Sequence, residues 1–204
     1  GSSLAAGYVT PQGNITNWLN ELAFAPIDYN PSAPIDEWSG DRGVGSQYMS
    51  QQCVFRLAPR AGIEIPADLS LAQKLKFVQH KLEASHPGAQ HIWQSIGVHL
   101  GYAIAHYTSF YNLAHVLLLG RVTSGKGGHI ILDFASQVLS ADFPALAARI
   151  HVELPDEISR RLGQAVAAAS LPQLQNNKQD AQDKSNTKPK FDHPESTGHP
   201  GRGK

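Results

Sequence analysis

Three stretches of this 204-residue chain carry residue types at spacings that could do chemistry. Gly120-Arg-Val-Thr-Ser-Gly125-Lys126-Gly127 follows an apolar run and precedes a helical pattern, the setting of a loop that cradles phosphate. Such a loop ends in Ser or Thr, whose hydroxyl ligates Mg²⁺, and Gly127 stands there instead. A glycine-rich turn ahead of a helix N-terminus still lets backbone approach a ligand and still favours negative charge. A turn that merely packs tightly accounts for the same residues equally well. The second stretch, Gly1-Ser2-Ser3-Leu4-Ala5-Ala6-Gly7-Tyr8-Val9, has small residues at a strand start, which leave room either for a ligand or for close packing. The third, Asn20-Glu21-Leu22-Ala23-Phe24, sets a carboxylate in an apolar run. A carboxylate there costs free energy unless it is paired or exposed, so Glu21 is either a binding acceptor or a solvent-facing residue of an edge strand.

Metal chemistry finds little to build on. Of the ten histidines, His99 and His106 are seven apart and share a helix face, while His91 and His115 fall elsewhere. No acidic or Cys ligand joins them at metal spacing, so packed or surface histidines are expected. The single cysteine, Cys53, can make neither an internal disulfide nor a Cys-rich zinc site. Seventeen basic and 17 acidic residues cancel, which leaves no electrostatic footprint for nucleic acid or an anionic membrane. No apolar run approaches the ~20 residues of a membrane helix, and no signal-peptide pattern opens the chain. A soluble cytoplasmic protein is expected.

The elements that must position these stretches follow from periodicity and turn chemistry. Residues 3–10 and 15–18 read as two arms of a hairpin around Pro11-Gln12-Gly13-Asn14, and 21–27 as a third strand. A Pro-rich loop over 30–36 leads to a glycine-rich turn and a helix within 40–57. Ser70 caps a helix with Leu71, Leu75, Val78 and Leu82 on one face. Pro87 opens a longer helix with the stripe Ile92, Ile96, Leu100, Ala103 and Tyr107, ending near Asn112. His115 to Gly120 reads as a buried strand. A helix carrying Ile130, Ile131, Phe134 and Val138 stops by Pro144, and Arg149 to Leu154 is a fifth strand, parallel to the previous one. Asp156 caps a last helix with Ile158, Leu162, Val166 and Ala169. The expectation is an α/β mixed sheet of about five strands in βββαβα order over 1–173. The polar remainder, 174–204, has one aromatic residue, Phe191, and from Gln175 on no Leu, Ile or Val, so it is expected to be a disordered tail.

In order and spacing these segments resemble the ROK family of sugar kinases and related regulators, over nearly all of 1–172. Gly1–Val9 resembles the family's second phosphate loop, LGTGIGAGIV, and Asn20–Phe24 its GExGH segment. Ser39-Gly-Asp-Arg-Gly-Val-Gly-Ser46 resembles CGxxGCxE, and Leu117-Leu-Leu-Gly120-Arg-Val-Thr-Ser124 resembles the adenosine loop VLGGGVS. Asp156 to Leu171 resembles the stretch that ends many members.

The resemblance implies the C-terminal lobe of a ribonuclease H-like (actin-like ATPase) fold. It implies that the chain is a piece of a longer protein whose N-terminal lobe would carry the DxGGT phosphate loop and the base Asp. It implies ATP and Mg²⁺ held jointly with that lobe, with Gly1, Ser2 and Ser3 facing the phosphates. Gly120, Arg121, Val122 and Ser124 would line the adenosine, and Glu21 and Ser46 would be at the sugar. The glycine-bearing turns at Ser2 and Gly120 would then meet on one side of a single sheet. The implied activity is phosphorylation of a sugar hydroxyl in the full-length parent, absent from this piece alone, with a non-catalytic sugar-binding or transcriptional regulator as the alternative. A homodimer stays open. Three departures stand out. Phe24 replaces the sugar- and zinc-binding His, Ser46 replaces the second sugar-binding Glu, and the zinc cysteines are missing, so no zinc and altered sugar recognition are expected.

Overall fold

The computed structural model describes residues 4–16 and 20–156. Helices dominate them. Helix α1 (Ser46–Met49) and helix α2 (Gln51–Leu57) are separated by Ser50, whose extended backbone (φ −112°, ψ 178°) breaks the run. Its hydroxyl donates to the Ser46 carbonyl at 2.6 Å and accepts from the Gln52 N–H at 3.1 Å, so it ends one helix and caps the next. A 3₁₀ turn over Pro59–Ala61 follows.

Helix α3 (Leu71–Glu83) starts where the sequence says it should. Ser70 and Gln73 form a reciprocal capping box, with the Ser70 N–H donating to Gln73 Oε1 at 2.9 Å. Leu75, Val78 and Leu82 are buried, while Leu71 is not. Helix α4 (Pro87–Tyr107) opens on a proline at its first position, where no intrahelical donor is needed. Then come strand β1 (His115–Leu117), helix α5 (Lys126–Asp142), helix α6 (Pro144–Ala147) and strand β2 (His151–Glu153).

Helices α4 and α5 pack unusually closely because of two glycines. A Cβ at Gly97 would lie 2.7 Å from the Ile131 carbonyl and 2.7 Å from Phe134 Cβ, and one at Gly101 would lie 2.7 Å from Val138 Cβ. The main core is built around this pair and includes Val54, Leu75, Leu82, Ile92, Trp93, Ile96 and Ile131. A second cluster, Ile104, Leu139 and Ile150, packs with Val116 and Val152 of the two strands. Strand β1 pairs with β2 in parallel, His115 opposite His151 and Leu117 opposite Glu153, with α5 in the crossover.

The five-stranded mixed sheet of a ribonuclease H-like lobe is not what these residues form. Among the described residues the only sheet is β1–β2, two strands of three residues each. The expected meander shrinks to isolated bridges, Val9 to Ile15, Pro26 to Val44 and Ile35 to Arg42. The turn at Pro11–Gly13 does form, with the Thr10 N–H donating to the Asn14 carbonyl at 2.8 Å. The physical reason lies in the residues. Ala5, Ala6 and Gly7 are exposed and offer too little side chain to bury, and Pro11, Pro26, Pro31 and Pro34 each remove a ladder donor. Strand β1 is correspondingly not a buried strand, since Leu117 and Leu119 are exposed. The last expected helix from Asp156 onward and the polar tail lie outside the described residues. No helix among the described residues is long and apolar enough to cross a membrane.

Candidate ligand-binding surfaces

The glycine-rich loop before α5 is shaped by packing. The Trp93 indole N–H donates to the Val122 carbonyl at 2.9 Å, fixing the loop from below. A Cβ at Gly127 would lie 2.1 Å from that same indole nitrogen, and one at Gly128 would lie 2.2 Å from the Thr123 carbonyl. Lys126, which a phosphate loop would aim at its ligand, donates through Nζ to Ser85 Oγ at 3.0 Å. Its backbone N–H, at the amino end of α5, donates to Glu83 Oε1 at 3.2 Å. The positive end of that helix therefore already holds an anion, the chain's own carboxylate.

Around this loop, Gly120 is exposed with φ 117°, a conformation that favours glycine. Arg121 is exposed, and its carbonyl accepts from Gln79 Nε2 at 2.8 Å. Val122 is buried, and the Ser124 hydroxyl donates to the Gly120 carbonyl at 3.4 Å. Gly1, Ser2 and Ser3 lie outside the described residues, so their meeting with Gly120 is not on view.

A cleft of about 970 Å³ runs between the segment 4–11, helix α4 and the stretch 113–123. Of the described residues assigned to ligands by sequence, only Val122 lines it. Its walls are mostly apolar, including Ile96, Leu100, Ile104 and Leu118. Tyr107 also lines it, and its hydroxyl is buried without a partner. Burial pushes that phenol up to about 12. The residues lining the cleft include no Lys, Arg, Asp or Glu. The walls suit an apolar group, and they provide neither charge for a triphosphate nor carboxylates for Mg²⁺. Among the described residues, no three or more His, Cys, Asp or Glu are grouped to hold a metal ion.

The other surface is polar. Glu21 is exposed and lies at the start of a turn, not a strand, with the Phe24 N–H donating to the Glu21 carbonyl at 3.1 Å. This turn docks on the Gly43–Ser46 segment. The Ser46 N–H donates to the Ala23 carbonyl at 2.9 Å, the Gly45 N–H to the Ala25 carbonyl at 3.0 Å, and the Ile27 N–H to the Gly43 carbonyl at 2.8 Å. Gly43 (φ 69°) is required here, because a Cβ would lie 1.8 Å from the Asp28 carbonyl. The segments of Glu21 and Ser46 are thus brought together, although Ser46 itself is 1% exposed.

Ser46 belongs to a buried network that the sequence did not single out. Its hydroxyl donates to Asp36 Oδ2 at 2.6 Å, and Gln47 Nε2 donates to the same oxygen at 3.0 Å. The other oxygen, Oδ1, accepts from the backbone N–H groups of Trp38 (3.1 Å) and Ser39 (3.0 Å). Ser46 above all, with Gln47 and the two amides, holds the Asp36 carboxyl down at about 2 against the opposing effect of burial. A carboxylate fixed by four donors closes a tight loop over 36–41 and presents Trp38 outward, 82% exposed and stacked on Phe24 at 5.3 Å between centroids. The Asp36-x-Trp38-Ser39 spacing is that of an Asx turn and is the one signal by which sequence could have found this loop.

A smaller pocket of about 520 Å³ beside it is lined by Glu37, Gln47, Gln51, Gln52, Phe55 and Arg56, among others. Gln51 Oε1 and Arg56 Nε are buried there without partners. Nearby, Tyr48 donates through its hydroxyl to Asp28, whose pKa this bond lowers. The Arg56 guanidinium lies 5.6 Å from the centre of the Tyr48 ring.

Compared with known proteins, the chain matches no family model and none of the curated proteins.

Proposed function

We propose that this chain is a carbohydrate-binding unit of ROK-like character, taking a sugar on the surface shared by the Glu21 turn and the Gly43–Ser46 segment. One observation carries the reading. The Ser46 N–H to Ala23 carbonyl bond, at 2.9 Å, joins the two segments that resemble the family's sugar-binding motifs. They are separated by residues 25–38, a loop-rich stretch, and nothing in their local sequence requires them to pair.

The parent would be an ATP-dependent sugar kinase, with the base and most phosphate contacts supplied from outside these residues. In this reading Glu21, an acceptor-only group, takes hydrogen bonds from sugar hydroxyls, and Ser46 acts by holding Asp36. The apolar cleft beside Val122 is the place for a base and ribose. A non-catalytic sugar-binding or regulatory protein is the second reading. It is favoured by Phe24 and Ser46 in place of the family's His and Glu, and by a cleft lining without ionisable carboxylate, Lys or Arg.

A thermal-shift and calorimetric titration with neutral monosaccharides and, separately, ATP–Mg²⁺ tests both. A ligand at 100 times its Kd adds about 2.7 kcal/mol, which is several degrees in Tm for a domain of this size. A rise with a sugar is expected, and no rise with any monosaccharide at tens of millimolar would remove the proposal. A coupled assay is expected to show no phosphorylation by this chain alone. A shift with sugar but none with ATP–Mg²⁺ would select the non-catalytic reading.

A further inference from the structure

We infer that Trp38, backed by Phe24, is a stacking platform for the apolar face of a pyranose ring, and that Glu21 hydrogen-bonds the hydroxyls at its rim. This rests on the sugar-binding reading above. The two rings are stacked at 5.3 Å with 28° between their planes, so Phe24 supports the indole from one side. Trp38 is 82% exposed, so most of the indole surface is open to solvent.

A large aromatic ring held out in water loses hydrophobic stabilisation, so its outward placement is notable. The loop that carries it is pinned at several points. The amides of Trp38 and Ser39 donate to Asp36 Oδ1, the Gly40 N–H donates to the Asp36 carbonyl at 2.9 Å, and the Asp36 N–H donates to the Asp41 carbonyl at 2.8 Å. The backbone that carries the ring is therefore ordered before a ligand arrives, which lowers the ordering that binding must still supply.

The chemistry around it selects the ligand class. The face of an indole is electron-rich and attracts the weakly positive C–H groups on the flatter side of a sugar ring. Glu37 and Asp41 are exposed and flank it in sequence, exposed Glu21 shares a turn with Phe24, and an ionised carboxylate accepts without donating. An apolar face edged with hydroxyl donors satisfies both demands.

The test is saturation-transfer NMR and calorimetry on the full 204-residue chain with methyl glucoside, methyl galactoside and N-acetylglucosamine as probes. At least one probe is expected to receive saturation chiefly on the C–H protons of one ring face. Trp38→Ala should weaken that probe about tenfold, the scale of one good aromatic contact. Glu21→Gln should weaken it less, and Tyr29→Ala, which removes another exposed aromatic, should leave it unchanged. Trp38 and Tyr29 are both exposed, so neither variant threatens the fold. If a sugar binds and Trp38→Ala binds it equally well, the platform is wrong while the sugar-binding reading stands. If no probe binds the unmodified chain, both fall together.

Discussion

The hydroxyl of Ser46 donates to the carboxylate of Asp36 at 2.6 Å, and both side chains are buried. A hydrogen bond to a charged acceptor in a buried site is worth about 1.5–3 kcal/mol. Ser46→Ala should lower the unfolding free energy by about that much at neutral pH, measured by urea denaturation. It should also weaken the loop over 36–41 that holds Trp38, and an unchanged urea midpoint would show that the pair contributes nothing.

Acid should act through the same carboxylate. Asp36 titrates near 2 in the folded chain, against 3.8 for an unperturbed group. The folded state therefore binds this proton less tightly than the unfolded state does. The stabilisation is complete well above 3.8 and is lost as pH falls from there toward about 2. Denaturation series across that window should show stability falling with pH, and Asp36→Asn should flatten the fall. Equal slopes for the two proteins would assign acid sensitivity to other groups.

Gly127 has no room for a methyl group, because its Cβ would lie 2.1 Å from the Trp93 indole nitrogen. Gly127→Ala should destabilise by about 2–3 kcal/mol through overpacking and loss of the bond from Trp93 to Val122. Gly7→Ala, where a Cβ meets nothing within 4 Å, should stay within about 0.5 kcal/mol of the parent. Thermal melts of the two variants side by side separate a packing glycine from a merely flexible one.

Cys53 is 1% exposed, and burial pushes its thiol up to about 11. Only thiolate reacts quickly with disulfide reagents. In the native protein at about pH 8 labelling should be slow and should track global unfolding, becoming rapid in concentrated guanidinium. Fast native labelling would contradict the burial of α2 against α3 and α4.

What could be read from the sequence was local. Ser70 with Gln73, Pro87, and the 3.6-residue spacing of Ile92, Ile96 and Tyr107 each act within one or two turns, and the helices begin and face as those residues dictate. The β1–α5–β2 unit was also legible, because β-rich HVL and HVE segments flank an amphipathic helix. The first 27 residues misled, since a strand is stable only if it finds a partner. Small and apolar residues in Ala5–Val9 or Leu22–Ile27 say nothing about whether one is present. Glu21 could be named from its apolar neighbours, but the docking of its turn on Ser46 depends on Gly43 and Gly45, whose need is visible only in three dimensions. Asp36 was hidden in a Pro-rich loop where an acid normally means solvent. The lysine of the glycine-rich loop could not reveal that its neighbours are Ser85 and Glu83, about forty residues earlier in the chain.

The glycines at 97 and 101 also decide which motions are open to this molecule. A one-turn slip of a helix along its partner moves it by about four residues. Slipping α4 one way delivers Trp93 to the slot of Gly97, and slipping it the other way delivers Ala105 to the slot of Gly101, where Val138 leaves no space for a methyl group. Both one-turn shifts therefore clash at this contact, and the two glycines key α4 to a single register on α5.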